Sequence, residues 1–177
     1  GDYSIVFRAY DDGIAYRFIS TTNKNFMVEN EEAVFNFPQN SKAYVSYVRE
    51  NGYHADNMTN NGSFEEQFFK SFVNTYEKIL LCDWNNKKLV FLPLLVEVPN
   101  GVKICLTESD LIDYPGMYLN IKDNSNSISG VFAPYPKTLK QGGKLMYHEV
   151  VTSRENYIAK YEHGTTFPWR TLIIAEK

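Results

Sequence analysis

This sequence predicts an all-β fold, an antiparallel sandwich or barrel, and three observations carry the prediction. Short runs alternate apolar and polar residues with period two, β-branched and aromatic residues fill them, and Gly, Asn and Pro punctuate them at short intervals. At 177 residues, 44% hydrophobic and 15% aromatic, the chain can bury one substantial core. A single domain over residues 1–177 is therefore expected.

The first element is a hairpin. Ile5, Phe7 and Ala9 alternate against Val6, Arg8 and Tyr10, and 14–19 alternates again after Asp11-Asp12-Gly13. Asp-Gly between two such runs reads as a type I′ turn, whose central residues need φ > 0. Further strand-like runs are 33–37, 43–48, 88–98, 102–107, 117–121, 129–132, 144–151 and 170–175. Pro99-Asn100-Gly101 and Gln141-Gly142-Gly143 supply turns between them.

Residues 63–81 fit two descriptions. Phe64, Phe68, Phe72 and Tyr76 recur every fourth residue, and Ser63 with Glu66 resembles a capping box, which argues helix. The same aromatics suit strands. Residues 51–62 are polar and Gly/Asn-rich and read as a loop, with short glycosylation-type patterns at Asn57 and Asn61.

Composition excludes several functions. A net charge of -3 with scattered Lys and Arg leaves no electrostatic footprint for nucleic acid or an anionic membrane. No apolar run reaches membrane-spanning length. The two cysteines, Cys82 and Cys105, lack metal or redox spacing and read as buried free thiols. His54, His148 and His163 are too dispersed for a zinc site. The chain opens with strand patterning already under way, so it reads as a piece of a longer protein.

Chemistry concentrates at the end of the 102–107 run. Glu108, Asp110 and Asp113 follow it directly and precede Tyr114-Pro115-Gly116, read as a turn with Pro fixing one dihedral and Gly supplying φ > 0. Carboxylates there can hold a hard cation, or simply cap a turn with Thr107. Calcium takes about six to eight oxygens, more than this segment offers. Phe167-Pro168-Trp169-Arg170 suits sugar stacking or core packing at a strand entrance. Arg8 and Arg17 are candidates for cross-strand pairing with acidic neighbours.

Phe7-Arg-Ala-Tyr-Asp-Asp-Gly-Ile-Ala-Tyr-Arg-Phe18, Leu89-Val-Phe-Leu-Pro-Leu-Leu-Val96, Leu106-Thr-Glu-Ser-Asp-Leu-Ile-Asp-Tyr-Pro-Gly-Met117, Gly130-Val-Phe-Ala-Pro-Tyr-Pro-Lys137 and Phe167-Pro-Trp-Arg170 occur in that order. Together they resemble the N-terminal domain of glycoside hydrolase family 97. The resemblance implies an antiparallel β-supersandwich of the galactose mutarotase-like kind, here without its first strands, which packs in the intact enzyme on a catalytic (β/α)8 barrel followed by a C-terminal β domain. Neither of those lies within 1–177, so no catalytic residue is expected here.

The resemblance also implies that the Glu of a Thr-Glu-x-x-Leu motif, Glu108 in this chain, helps bind calcium at the active-site mouth. The other ligands would come from the barrel, and Asp110 and Asp113 receive no metal role. The motifs look most like the calcium-dependent α-glucosidase branch, periplasmic enzymes acting on oligosaccharides. Retaining α-galactosidases of the same family are the alternative, and a stand-alone carbohydrate-binding module using Trp84, Trp169 or tyrosines is a second. Removal of strands from the sandwich implies exposed edges and self-association.

Overall fold

The computed structural model describes residues 3–49, 64–70, 73–121, 125–142 and 144–176. Among the described residues fourteen strands run in the order β1 (Tyr3–Tyr10), β2 (Gly13–Ser20), β3 (Phe26–Val28), β4 (Val34–Asn36), β5 (Lys42–Val45), β6 (Glu77–Leu80), β7 (Leu94–Glu97), β8 (Lys103–Ser109), β9 (Met117–Ile121), β10 (Ser127–Phe132), β11 (Pro136–Gly142), β12 (His148–Arg154), β13 (Ala159–Tyr161) and β14 (Trp169–Ala175). Three short 3-10 turns are the only helical segments among the described residues. The all-β, antiparallel expectation holds.

The main sheet has seven strands in the order β1-β2-β14-β8-β7-β5-β6. A three-stranded sheet, β4-β10-β9, and the pair β13-β3 supply the facing side, while β11-β12 is a separate two-stranded ribbon. The core follows from alternation along each strand. Ala43, Val45, Leu94, Val96 and Leu106 point inward from the main sheet against Phe35, Met117, Leu119, Ile128 and Phe132. Burying these apolar side chains is what holds the layers together, at about 1.5–3 kcal/mol for each large one.

Several local readings change. β1 and β2 form the expected hairpin, but Tyr10 pairs with Gly13, so the loop is Asp11-Asp12. Neither aspartate has positive φ, and Gly13 does not either, so the turn is not type I′. Glycine is needed at 13 for space, because a Cβ there would collide with the Leu172 carbonyl oxygen of β14. The 63–81 ambiguity resolves as both structures. A 3-10 turn covers Glu65–Phe69 and β6 occupies Glu77–Leu80, paired to β5. Ser63, half of the expected capping box, lies outside the described residues, as do Phe72, His54, Gly143 and the 51–62 loop with Asn57 and Asn61.

The 3-10 turn is held by one buried amide. Gln67 Nε2 donates to the Lys87 carbonyl at 2.8 Å and its Oε1 accepts the Leu89 N–H at 2.8 Å, so a side chain completes the backbone pairing of a buried segment. Both cysteines are free, but Cys82 is exposed and Cys105 half-buried, so the expected burial fails at Cys82.

Candidate functional site: a buried guanidinium between two carboxylates

β8 and β14 build the site. Period-two alternation puts Leu106 and Glu108 on the same face of β8, and the antiparallel register sets Leu172 opposite Leu106 and Arg170 opposite Glu108. Leu106 is fully buried, so the same face carries Glu108 and Arg170 to the rim of the core. Arg170 is only 1% exposed. A charge so placed must be paired, and it has two partners. Its Nη1 donates to Glu108 Oε2 at 2.6 Å, while Nε and Nη2 grip Glu31 Oε1 and Oε2 at 2.8 and 2.6 Å.

Glu31 comes from the segment between β3 and β4 and is itself buried. Tyr114 donates its hydroxyl to Glu31 Oε2 at 2.9 Å. The Met117 N–H bridges both Glu108 oxygens at 3.1 and 3.2 Å. Aromatic faces close the cluster, with the Arg170 guanidinium 5.1 Å from the Phe132 ring centre and 5.9 Å from that of Tyr114.

Charge counting shows what the cluster lacks. Two carboxylates share one guanidinium, so one negative charge is in excess when both are ionised. Burial pushes the Glu108 carboxyl above its ordinary value, and Glu31 adds to that, while the Met117 N–H and Arg170 pull the other way. Burial alone would lower Arg170, but hydrogen bonding and attraction from Glu31, then Glu108, raise it, so it keeps its charge. A cation beside Glu108 would remove the imbalance.

Glu108 lines a cavity of about 510 Å³ together with Phe91, Met117, Tyr118, Tyr135 and Arg154. A second cleft of about 480 Å³ holds Asp110, Lys160, Tyr161, Glu162 and His163, and the two share Asp113 and Tyr135. The acidic cluster read from sequence is thus split. Asp110 turns to Arg17, with Nη2 to Oδ2 at 2.8 Å. Asp113 offers its carbonyl to the Tyr161 hydroxyl at 3.0 Å.

The backbone of this loop also differs from expectation. Positive φ falls on Asp110 (59°) and Asp113 (51°), not on Gly116. Aspartate enters that region more readily than most non-glycine residues, so these two residues shape the loop.

Among the described residues no three His, Cys, Asp or Glu side chains converge as a metal cage. Calcium fits here in a limited sense. Glu108 is a hard, anionic oxygen donor facing a cavity in a cluster short of positive charge, and it can be one ligand among several supplied from elsewhere.

The profile of the family described as Glycosyl-hydrolase 97 N-terminal matches residues 1–177. The chain belongs to glycoside hydrolase family 97, as its N-terminal domain. It is 42% identical over 173 residues to a retaining alpha-galactosidase of Bacteroides thetaiotaomicron, covering 98% of this chain and 25% of that protein. A family 97 enzyme from Pseudoalteromonas sp. strain K8, solved with acarbose, superposes with TM-score 0.67 at 20% identity, over 99% of this chain and 21% of that one. A beta-arabinopyranosidase gives 0.66 at 14% identity, over 98% and 25%. These last two likenesses show the fold.

Within the family 97 domain, the two tryptophans suggested by sequence as stacking platforms are not open, whereas Tyr3, Tyr10, Tyr76 and Tyr147 are exposed. Trp84 is in the core at 6% exposure. Trp169 is half-buried and carries the guanidinium groups of Arg8 and Arg17 at 4.7 and 4.8 Å from its ring centre. Arg17 therefore pairs with Asp110 and stacks on Trp169, while Arg8 stacks on Trp169. His148 and His163 are exposed. Sequence reasoning missed Glu31 and the role of Tyr114. The available clue was Arg170 itself, since an arginine inside a strand leading into Leu172 requires buried acids to meet it.

Proposed function

We propose that this domain is a non-catalytic part of a calcium-dependent, retaining glycoside hydrolase acting on α-galactosides. Glu108 supplies one oxygen to a calcium ion whose other ligands belong to a catalytic (β/α)8 barrel of the same polypeptide. The observation that carries the choice of sugar is the 42% identity to a retaining alpha-galactosidase along almost the whole chain. The five motifs alone point to the α-glucosidase branch, but the solved relative with acarbose is only 20% identical and speaks for fold alone. The calcium role rests on the motif at Glu108 and on the excess negative charge of its cluster. A bacterial periplasm is the proposed location, and the oligosaccharide is bound by the intact enzyme.

The deciding experiment assays the full-length enzyme on nitrophenyl α-galactoside and nitrophenyl α-glucoside, with calcium or with chelator. Preference for the galactoside, lost on chelation, is expected, and the 177-residue chain alone should turn over neither. Preference for the glucoside would return the protein to the α-glucosidase branch. Indifference to chelation would remove calcium.

A further inference from the structure

We infer that Arg170, fixed by Glu31 and Tyr114, is a positioning residue that makes Glu108 a one-oxygen ligand, with Oε2 held inside the domain and Oε1 alone offered to the cavity; this rests on Glu108 binding calcium as proposed above. The two oxygens of Glu108 are not equivalent. Oε2 accepts from Arg170 Nη1 at 2.6 Å and from the Met117 N–H at 3.2 Å. Among the described residues, Oε1 accepts only the Met117 N–H, at 3.1 Å. Its neighbour toward the cavity is Gly116, where a Cβ would stand 3.5 Å from Oε1. Bare backbone at 116 keeps the approach to that oxygen open.

The orientation is imposed from behind. A glutamate at a strand end has several side-chain torsions to sample, and a ligand that must search for its orientation binds more weakly. Arg170 removes that freedom. It is itself immobilised, because three of its nitrogens are engaged and its guanidinium lies against Phe132. Glu31 is immobilised in turn by Tyr114. The fork of Arg170 is essential to this arrangement. Lysine carries the same charge but cannot grip Glu31 with two parallel bonds while reaching Glu108 with a third.

Arg170 thus differs from an ordinary structural ion pair in what its loss should change. Outer partners of metal ligands typically alter metal affinity by about 10–100-fold when replaced. An arginine that merely stabilised the fold would shift denaturation and leave the calcium affinity of the folded protein alone.

The test titrates calcium calorimetrically into the full-length enzyme and into Arg170→Lys, Tyr114→Phe, Gly116→Val and Glu108→Gln variants, with urea midpoints measured in chelator. Arg170→Lys should raise the calcium Kd by about 10–100-fold at a temperature where the protein remains folded. Tyr114→Phe should raise it by a smaller factor. Gly116→Val, which leaves the Arg170 bonds intact, should weaken calcium without lowering the urea midpoint to match.

Three results overturn the inference. The first is an Arg170→Lys protein that folds and binds calcium within about twofold of the parent while Glu108→Gln binds poorly. The second, decisive if Arg170→Lys does not fold, is unchanged affinity in both Tyr114→Phe and Gly116→Val. The third is unchanged affinity in Glu108→Gln, which would also remove the proposed ligand role; the first two leave that role standing.

Discussion

Arg170 and Glu108 face each other directly across β14 and β8, 2.6 Å apart, where the buried face of the main sheet meets a cavity. The pairing links packing to the candidate site. The same alternation that buries Leu106 delivers Glu108 to the rim, and the same register that pairs Leu172 with Leu106 brings in the guanidinium. Removing Arg170 should be costly, because Glu31 and Glu108 would both be left without their cation in a partly dry environment. Arg170→Met is expected to lower stability by about 3–5 kcal/mol. Urea denaturation of the variant against the parent measures this, and a loss well below that range would mean that water or another cation already compensates the two acids.

How much of this was legible in the sequence depends on whether an element has an apolar face. β9 falls on the run read at 117–121, and β8 overlaps the run read at 102–107, because Met117, Leu119 and Ile121 in the one and Ile104 and Leu106 in the other repeat with period two. β11 carries Lys137, Thr138, Leu139, Lys140 and Gln141, all exposed, and so offers no pattern to read. β3 and β13 are three residues each and exist only by pairing with one another from distant parts of the chain. Gly13 was legible as a special position but for the wrong reason, since its need is set by the passing backbone of β14 and not by its own φ.

The site divides in the same way. Glu108 announces itself by following an apolar strand and by its motif, whereas Glu31 sits among Glu29 and Glu32 with nothing local to distinguish it. Only the arrival of Arg170 does so.

The edge of the main sheet carries a prediction about association. β1 is the outermost strand next to β2, and it exposes Tyr3 at 63%, Ile5 at 47% and Phe7 at 70% on one face. An open edge with apolar side chains is a template for pairing with another strand. The 177-residue chain should therefore self-associate with rising concentration in sedimentation velocity. Phe7→Lys forfeits roughly 1.5–3 kcal/mol of apolar burial per copy and adds a charge to the edge. It should weaken association by about tenfold or more. Equal association of variant and parent would place the contact elsewhere on the molecule.

Alkaline titration tests the packing of β13 against the 110–116 loop. Tyr161 is pushed up to about 12, first by burial and then by the negative charge of Asp113, and its hydroxyl donates to the Asp113 carbonyl. The folded value lies above the usual 10.0, so the unfolded chain loses this proton first. The contribution of Tyr161 to stability is then complete below pH 10 and falls away as pH rises through about 12. Ultraviolet difference absorbance of the parent against Tyr161→Phe isolates the group. The component missing from the variant should titrate near pH 12. A missing component centred near pH 10 would mean that the hydroxyl is solvated and that β13 does not hold the loop as the 3.0 Å bond to Asp113 implies.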